Sequence, residues 1–265
     1  MLGVKDYLPA SLDPLLKDKD LQTGVSFASA GSGFDHLTSI TTSTIPMSVQ
    51  LDMFKEYVQK LKRSIGLETT NNIITNSVVA VSAATNDLLV SLPLRRLQYD
   101  AQGYSNMLVK LYLNFTQEIY MLGVRRIVVF CTHPIGCLPA VRTLAGGIQR
   151  TCVDKDTNLA QFFNNILKQE LELSTTSFPQ LRVAFVDYYN PFADIIESPH
   201  KYGFDVTDVG CCGTGELEAS YLCNKRTVTC TNQSKYFFWD SLHPTERGYE
   251  IIMNSIIQDI VNTLF

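Results

Sequence analysis

Short apolar runs alternate with helix-period segments along most of this chain. Runs of strand length lie at residues 78–81, 127–130 and 183–186, with a further short one at 24–28. Apolar residues recur at helical spacing over residues 47–61, 104–122 and 159–173. This alternation predicts an α/β protein, in which a parallel sheet is covered by helices on both faces. In such sheets the functional site lies beyond the carboxyl ends of the strands.

Size and charge narrow the class of protein further. At 265 residues, of which 45% are hydrophobic, the chain has the size of one α/β domain covering residues 1–265. Its formal charge of −4 argues against a nucleic-acid partner, because nucleic-acid binding needs a basic surface. No apolar run approaches the ~20 residues that a transmembrane helix requires. We therefore expect a globular protein without a transmembrane segment.

Seven cysteines provide a second constraint. Four of them, at positions 211, 212, 223 and 230, crowd into a segment rich in Gly, Thr and Asn. Because this composition builds little core, we expect disulfides to hold a cysteine-rich insertion over about residues 203–232. Zinc is the alternative, but the cluster contains no Cys-x-x-Cys pair. Two glycosylation sequons, at Asn114 and Asn232, fit a secretory history.

The most informative local motif is DSLHP at residues 240–244. A carboxylate shortly before a histidine can orient one imidazole nitrogen and leave the other free to accept a proton. The motif thus predicts Asp240 and His243 as the base half of a hydrolytic triad. Pro244 is expected to be the first residue of a C-terminal helix. The alternatives are a loop ion pair, or an aspartate that caps this helix.

Two more polar segments follow predicted strand ends. Asn86 comes shortly after one predicted strand, and Gly31 lies in the loop after another. Because parallel strands end at one edge of a sheet, both residues can share a rim with His243. Each also has an ordinary interpretation, with Asn86 bonding its own backbone in a turn and with Gly31 and Gly33 as turn glycines.

Five segments, in the same order, resemble those of one known family. They are GVSFASAGSGFD at 24–35, VSAATND at 81–87, PIGCLP at 134–139, KYGFDVTDVGCCGTGELEASYLCN at 201–224 and FWDSLHPTERGY at 238–249. Together they resemble the plant-type GDSL esterase/lipase family of SGNH hydrolases. The resemblance implies a three-layer α/β/α, flavodoxin-like parallel sheet and hydrolysis of carboxylic esters. It further implies an ester or lipid small molecule as substrate, with no metal and no cofactor.

The resemblance also assigns roles to site residues. His243 would act first as general base and then as general acid, while Asp240 would hold its tautomer and stabilise the imidazolium. Asn86 would donate its side-chain N–H to the oxyanion. Gly31 would supply a backbone N–H to the same oxyanion, with Gly33 as the alternative. A departure from the family pattern is Ala84, where glycine is common, which could crowd the approach to Asn86.

The family's serine nucleophile belongs to a Gly-Asp-Ser-Leu block, and this sequence contains no such tetrapeptide. Residues 2–5 resemble a family segment that lies well beyond that block, so we expect the first strand and helix to be missing. Ser32 is the best local substitute, although Ala30 in front of it breaks the G-x-S-x-G pattern. Three interpretations stay open: an ester hydrolase whose full-length form carries the serine, a non-catalytic binding or regulatory relative, or an incomplete gene model.

The other histidines lack the pattern that singles out His243. His133 also precedes a proline, but Phe130 stands where the aspartate would be needed, so we interpret His133 as structural. His36 and His200 have no partner pattern and are expected on the surface.

The sequence also gives expectations for the cellular compartment and for the pairing of the cysteines. The family resemblance implies an extracellular or secretory-pathway protein, whereas residues 1–6 contain no signal peptide and indicate the cytoplasm if Met1 is the true start. Cys137 and Cys152 are expected to pair, and seven cysteines leave at least one unpaired. The sequence defines neither the acyl chain of the substrate nor the oligomeric state.

Overall fold

The computed structural model describes residues 5 and 7–265. The family resemblance at residues 2–5 therefore lies outside the described residues, apart from Lys5. The α-helices are α1 (Asp18–Leu21), α2 (His36–Thr42), α3 (Met47–Ile65), α4 (Leu67–Asn76), α5 (Leu92–Leu94), α6 (Ala101–Met121), α7 (Pro139–Ala145), α8 (Asp154–Ser177), α9 (Tyr189–Glu197) and α10 (Glu246–Leu264). The strands are β1 (Val78–Ser82), β2 (Arg126–Phe130), β3 (Arg182–Val186), β4 (Val206–Gly210) and β5 (Tyr236–Phe238).

The strands form two sheets with parallel pairing. One sheet has the order β1-β2-β3, and β1 pairs with β2 from Val78 opposite Arg126 to Ser82 opposite Phe130. The other sheet consists of β4 and β5. Helices separate successive strands of the first sheet, as parallel connections require. This arrangement confirms the α/β prediction and fits the three-layer α/β/α SGNH-hydrolase fold.

The chain divides into two compact units. The first unit comprises residues up to 130, residues 166–185 and residues 260–265. The second unit comprises residues 131–165 and 186–259. In the portion of the chain that the structure describes, no helix is both long enough and apolar enough to cross a bilayer.

In the first unit, the long helix α6 packs against the sheet. Tyr104, Leu108 and Tyr112 recur at four-residue spacing and are fully buried, so they form one apolar stripe. The Tyr112 hydroxyl donates to the Val81 carbonyl at 3.3 Å, which ties the helix to β1. Phe34 lies against the same tyrosine, with ring centroids 4.6 Å apart. Helix α6 thus anchors the loop that carries Gly31 and its neighbours.

The apolar run at residues 24–28 does not form a regular strand. Within the described chain, Ser26 makes a single parallel bridge to Ala10. Gly24 has a φ of +93°, which interrupts extended backbone on the N-terminal side of the run. The prediction of a strand before the Gly31 loop is therefore wrong, because only one bridge forms there among the described residues. At that bridge the chain runs parallel to the segment that carries Ala10.

In the second unit, an aromatic cluster supports the segment that carries Asp240 and His243. Phe192, Phe237 and Phe238 are fully buried, and the Phe192 and Phe237 rings are 4.8 Å apart. Strand β5 contributes two of these rings and runs directly into the 240–244 motif. The motif is therefore fixed at its N-terminal end by core packing.

Helix α10 begins two residues later than predicted. Pro244 forms an isolated bridge with Phe238, and the helix begins at Glu246. The Thr245 hydroxyl oxygen accepts from the Gly248 N–H at 3.2 Å, as an N-cap residue does. The prediction that Pro244 is the first helical residue is thus wrong, because Thr245 supplies the cap.

Three disulfides hold loops of the second unit. They join Cys137 to Cys152, Cys211 to Cys230 and Cys212 to Cys223. The expected Cys137–Cys152 pair is confirmed, and the unpaired cysteine is the buried Cys131. The cysteine-rich segment is not wholly irregular, because its start contains β4.

Candidate active site

The predicted site residues fall into two groups, one in each unit. Gly31, Ser32 and Asn86 belong to the first unit, and Asp240 and His243 belong to the second. We call residues 31–35 the glycine loop.

The glycine loop and Asn86 lie together in the first unit. The Asn86 side-chain amide donates to the Ser32 carbonyl at 2.9 Å. An asparagine amide carries two N–H donors, so this bond leaves a second one for a ligand. Gly31 has a φ of +89°, a conformation that favours glycine, and its carbonyl accepts from the Thr42 hydroxyl at 3.0 Å. The structure thus brings together the two predicted oxyanion donors.

Asp87 joins the glycine loop to the turn that carries Asn86. Its buried carboxylate accepts from the backbone N–H groups of Phe34 and Asp35, each at 2.9 Å, and from the Thr38 hydroxyl at 2.6 Å. Burial raises the pKa of Asp87 to about 6, although these hydrogen bonds favour the charged form. Because Asp87 directly follows Asn86, its contacts fix Asn86 against the loop.

Gly33 is required for this contact. A Cβ at position 33 would lie 2.2 Å from Oδ1 of Asp87, and the carboxylate cannot retreat while it holds the loop. The small residue therefore serves close packing. Gly33 was the alternative backbone donor, and the structure gives it this packing role independently of any catalytic one.

A second carboxylate extends the polar network outward. Asp35 is buried and accepts from two nitrogens of Arg95, Nε at 3.0 Å and Nη2 at 2.9 Å. The Tyr104 hydroxyl also donates to Asp35 at 3.1 Å. Burial works to raise the pKa of Asp35, but the bonds from Arg95 and the Leu37 N–H hold it below its usual value. The loop is therefore held at both ends.

Ala84 adopts a backbone conformation that glycine prefers. Its φ is +90° and its side chain is fully buried. An L-residue with this φ places its Cβ close to its own backbone and is strained. The sequence indicated this position because the family commonly has glycine there. The departure thus costs backbone energy in the turn that leads to Asn86.

Ser32 has a hydrogen-bond partner that cannot act as a base. Its hydroxyl oxygen accepts from the Gln50 side-chain amide at 3.0 Å, and the same amide donates to the Ile45 carbonyl at 2.9 Å. Nucleophilic serines need a neighbour that takes their proton, and an amide N–H does not. No described contact gives Ser32 such a neighbour, so its role as nucleophile stays a prediction.

Asp240 and His243 form the predicted pair. Nδ1 of His243 lies 2.8 Å from Oδ2 of Asp240 and 3.0 Å from Oδ1. Oδ1 also accepts from the backbone N–H groups of Leu242 and His243 at 2.8 and 2.7 Å. The aspartate side chain is 5% exposed, whereas the histidine side chain is 54% exposed. Thus Nδ1 is bound to the buried carboxylate, and in the described structure Nε2 forms no hydrogen bond.

The pair alters both pKa values in the direction that a base requires. The hydrogen bond that His243 donates to Asp240 raises the pKa of His243, against an opposing effect of burial. Burial would raise the pKa of Asp240, but His243 and the backbone N–H groups of Leu242 and His243 hold it below its usual value. The carboxylate therefore stays ionised and fixes the imidazole tautomer, with the Nδ1 proton toward Asp240.

Contacts around the motif fix its backbone. The Trp239 N–H donates to the His243 carbonyl at 2.8 Å, which closes a tight turn. The Ser241 N–H donates to the Glu218 carbonyl at 2.9 Å, so the cysteine-rich segment braces the turn from one side. Gly210 allows this approach, because a Cβ there would lie 2.6 Å from the Asp240 backbone. The motif depends on the insertion for its shape.

His133 is buried close to His243. Its ring stacks on Phe192 at 4.9 Å, and its Nε2 is buried without a hydrogen-bond partner among the described residues. Burial lowers the pKa of His133 to about 4, with a smaller contribution from His243. It is therefore neutral at physiological pH and adds no charge beside the pair. By contrast, His36 and His200 lie on the surface, as expected.

Sequence reasoning did not identify the network behind Asn86. Asp87, Thr38 and Arg95 fix the glycine loop, yet none was a candidate. A signal was present, since Asp87 stands next to Asn86 in an Asn-Asp pair after a strand. The described residues contain no cluster of His, Cys, Asp and Glu suited to hold a metal ion.

A parallel α/β fold with an aspartate-oriented histidine is typical of serine-type hydrolases. The model of the GDSL-like lipase/acylhydrolase family matches residues 2–256, so this chain belongs to that family. The Arabidopsis thaliana GDSL esterase/lipase At5g42170 is 41% identical over 264 residues, covering 99% of this chain and 72% of the relative. GDSL esterase/lipase EXL3 of the same plant is also 41% identical, over 98% of this chain and 72% of its own length.

Proposed function

We propose that this protein is a carboxylic ester hydrolase in which Asp240 and His243 form the acid–base pair. The observation that carries the proposal is the geometry of that pair. A buried carboxylate 2.8 Å from Nδ1 orients an imidazole that is half exposed. In this orientation Nε2 can take a proton from a serine and later return it to the departing alcohol. The relatives named esterase/lipase support the reaction class.

Asn86 and the Gly31 backbone N–H would stabilise the oxyanion of the tetrahedral intermediate. The second N–H of Asn86 is available for this, because its first is bound to Ser32. The network around Asp87 holds the donor in place before substrate arrives, so no reorganisation is needed during the reaction. Loss of one such donor typically lowers the rate by ~100-fold or more.

The serine nucleophile is the missing member of this proposal. The 265 residues contain no Gly-Asp-Ser-Leu block. We therefore propose that a form of the protein with this block cleaves esters, and that the present chain alone forms no acyl-enzyme. The substrate would be a small ester or a lipid. The same absence favours a second function, in which the chain is a non-catalytic binding or regulatory relative.

The domain organisation and the cellular compartment are proposed together with the function. We propose that residues 1–265 act as one SGNH-type domain, because the predicted site residues come from both units. We also propose an oxidising, secretory compartment, because three disulfides would not persist in a reducing one.

Labelling with a fluorophosphonate tests whether the chain carries its own nucleophilic serine. The folded chain should gain no mass, and a heat-denatured control should behave in the same way. An adduct on the folded protein alone, mapped to one serine such as Ser32, would show that the chain carries its own nucleophile. That result would contradict the proposal of a missing serine.

Fusion to a segment with a Gly-Asp-Ser-Leu block, taken from a GDSL esterase/lipase relative, tests the hydrolase itself. The fusion should cleave p-nitrophenyl esters, and His243→Ala should abolish most of the rate. Asp240→Asn should lower the pKa of His243, because the raising partner is removed, and should shift the acid limb of the rate profile to lower pH. A folded fusion that binds esters without cleaving them would favour the binding protein.

A further inference from the structure

The cysteine-rich segment ends in a small turn with an unusual surface. We call residues 220–228 the tip. Tyr221, Leu222 and Val228 are 89%, 64% and 80% exposed, although two of them are aliphatic. Scattered exposed apolar residues are ordinary, but here they are grouped on one short turn. The tip also carries two adjacent cations, Lys225 and Arg226, both exposed.

The tip is held rigid rather than left loose. The disulfide between Cys212 and Cys223 fastens it on one side, and that between Cys211 and Cys230 closes the segment around it. The Gly213 N–H donates to the Val228 carbonyl at 2.9 Å. The backbone of the tip therefore needs little further ordering when it meets a partner.

The turn also satisfies much of its own backbone. The Tyr221 and Leu222 carbonyls accept from the side chains of Asn224 and Thr227, each at 3.0 Å. The Arg226 N–H donates to the Asn224 side chain at 3.0 Å, and the Thr227 N–H donates to the Asn224 carbonyl at 2.9 Å. Polar backbone groups that are already bonded can enter an apolar layer at low cost.

The charge of the tip is not neutralised within the described chain. Neither Lys225 nor Arg226 forms an ion pair with any residue that the structure describes, and two acidic residues of the same cysteine-rich segment have other partners. Glu216 lies 3.8 Å from Arg150, and Glu218 accepts from the Thr214 hydroxyl at 2.8 Å. The protein as a whole carries a formal charge of −4, so the two adjacent cations of the tip differ in sign from the net charge of the protein.

We propose that the tip docks on a lipid surface that bears anionic headgroups. Aromatic and aliphatic side chains beside Lys and Arg suit the boundary between headgroups and acyl chains, where the cations reach phosphate and the apolar groups reach hydrocarbon. The proposal rests on the proposed function for its purpose, which is to hold the hydrolase on an aggregated ester substrate. Docking itself requires no hydrolysis.

Cosedimentation of the 265-residue chain with vesicles tests the proposal. The vesicles are made from ether-linked phospholipids, which contain no carboxylic ester, either of phosphatidylcholine alone or with phosphatidylglycerol added. The wild-type protein should bind the anionic vesicles more tightly. Failure to bind them would overturn the docking proposal and leave the proposed hydrolase untouched, while failure of hydrolysis would leave the binding result intact.

Two variants separate the charge from the apolar contribution. The double variant Lys225→Glu with Arg226→Glu should weaken binding to anionic vesicles by about 30-fold or more and have little effect on neutral ones. The control Lys155→Glu with Lys168→Glu makes the same charge change on another exposed surface and should have a much smaller effect. Equal effects of the two pairs would show that only net charge matters and would overturn the proposal.

The triple variant Tyr221→Ser, Leu222→Ser and Val228→Ser should weaken binding to both kinds of vesicle by about 10-fold or more. Leu97→Ser, at a fully exposed leucine elsewhere, should have no effect. Light scattering after size exclusion provides the other check. If the triple variant instead converts a dimer into a monomer and leaves vesicle binding unchanged, the tip joins two copies of the chain and the proposal fails.

Discussion

The two groups of candidate site residues are built in opposite ways. Around Asn86, the glycine loop is held by the buried carboxylates of Asp87 and Asp35, with backbone, hydroxyl and guanidinium donors on them. Around His243, a single buried carboxylate, that of Asp240, orients the imidazole, and the imidazole itself is half exposed. The first group is partly buried and is held by buried polar residues, and the second is a side chain presented by a short turn.

This difference matches the roles that we propose for the two groups. Oxyanion donors must be rigid before the reaction, because their value depends on not having to move. A general base must exchange a proton and must therefore keep one nitrogen accessible. Substitutions near Asn86 should then change stability, whereas those at His243 should change titration and leave the fold in place.

The largest effect is expected from Gly33→Ala. The new Cβ would lie 2.2 Å from Oδ1 of Asp87, so the carboxylate must move and release the loop N–H groups. Overpacking together with lost buried hydrogen bonds should lower the free energy of unfolding by about 3 kcal/mol or more. Urea denaturation measures the change.

Gly147→Ala is the control for that substitution. No atom lies within 4 Å of a Cβ at position 147, although its φ of +69° also favours glycine. Only backbone strain of about 1 kcal/mol is therefore expected. Equal losses for the two variants would mean that the contact with Asp87 contributes nothing.

The next largest effect is expected from Asp87→Asn, at about 2 kcal/mol. The amide brings two N–H groups toward donors of the loop, whereas the neutral acid has a single O–H that can donate to the Thr38 hydroxyl oxygen. Burial raises the pKa of Asp87 to about 6, so its stabilising contribution is full below the usual 3.8 and is lost as the pH rises through about 6.

The stability difference between wild type and this variant should therefore shrink between about pH 4 and about pH 7. Urea denaturation across this range measures it, and taking the difference between the two proteins cancels other titrating groups. A difference that grows with pH would show that Asp87 is held as a stable anion by its donors.

Local patterns predicted the α/β class, the sheet strands β1 to β3 and the Asp240–His243 contact. The reason is that each depends on neighbouring residues or on strong periodicity. The bridge at Ser26 and the Asp87 network could not be predicted, because they depend on contacts between distant segments, such as Asp87 with Phe34. The prediction for Pro244 was wrong for a different reason. The Thr245 hydroxyl caps the helix, so the helix begins after Thr245 and not at Pro244.

A smaller effect of opposite sign is expected from Ala84→Gly. Glycine relieves the strain of a φ of +90°, and this gain exceeds the loss of one buried methyl group. The free energy of unfolding should rise by about 0.5 to 1 kcal/mol. Ala160→Gly, at another fully buried alanine but within helix α8, should instead destabilise by about 1 kcal/mol. Thermal unfolding of both variants decides whether the turn before Asn86 is strained.

The smallest effect on stability is expected from His243→Ala. Its side chain is 54% exposed, so at about pH 9 the free energy of unfolding should change by no more than about 0.5 kcal/mol. Because Asp240 raises the pKa of His243, the ion pair stabilises fully below about 6.5 and the contribution is lost as the pH rises through the raised value. The substitution should therefore lower the free energy of unfolding more at about pH 5 than at about pH 9. Solvent screening limits the size of this loss. A loss of about 2 kcal/mol at the higher pH would mean that the histidine is a structural residue. The contrast between the rigid group around Asn86 and the exposed imidazole that we propose as base would then disappear.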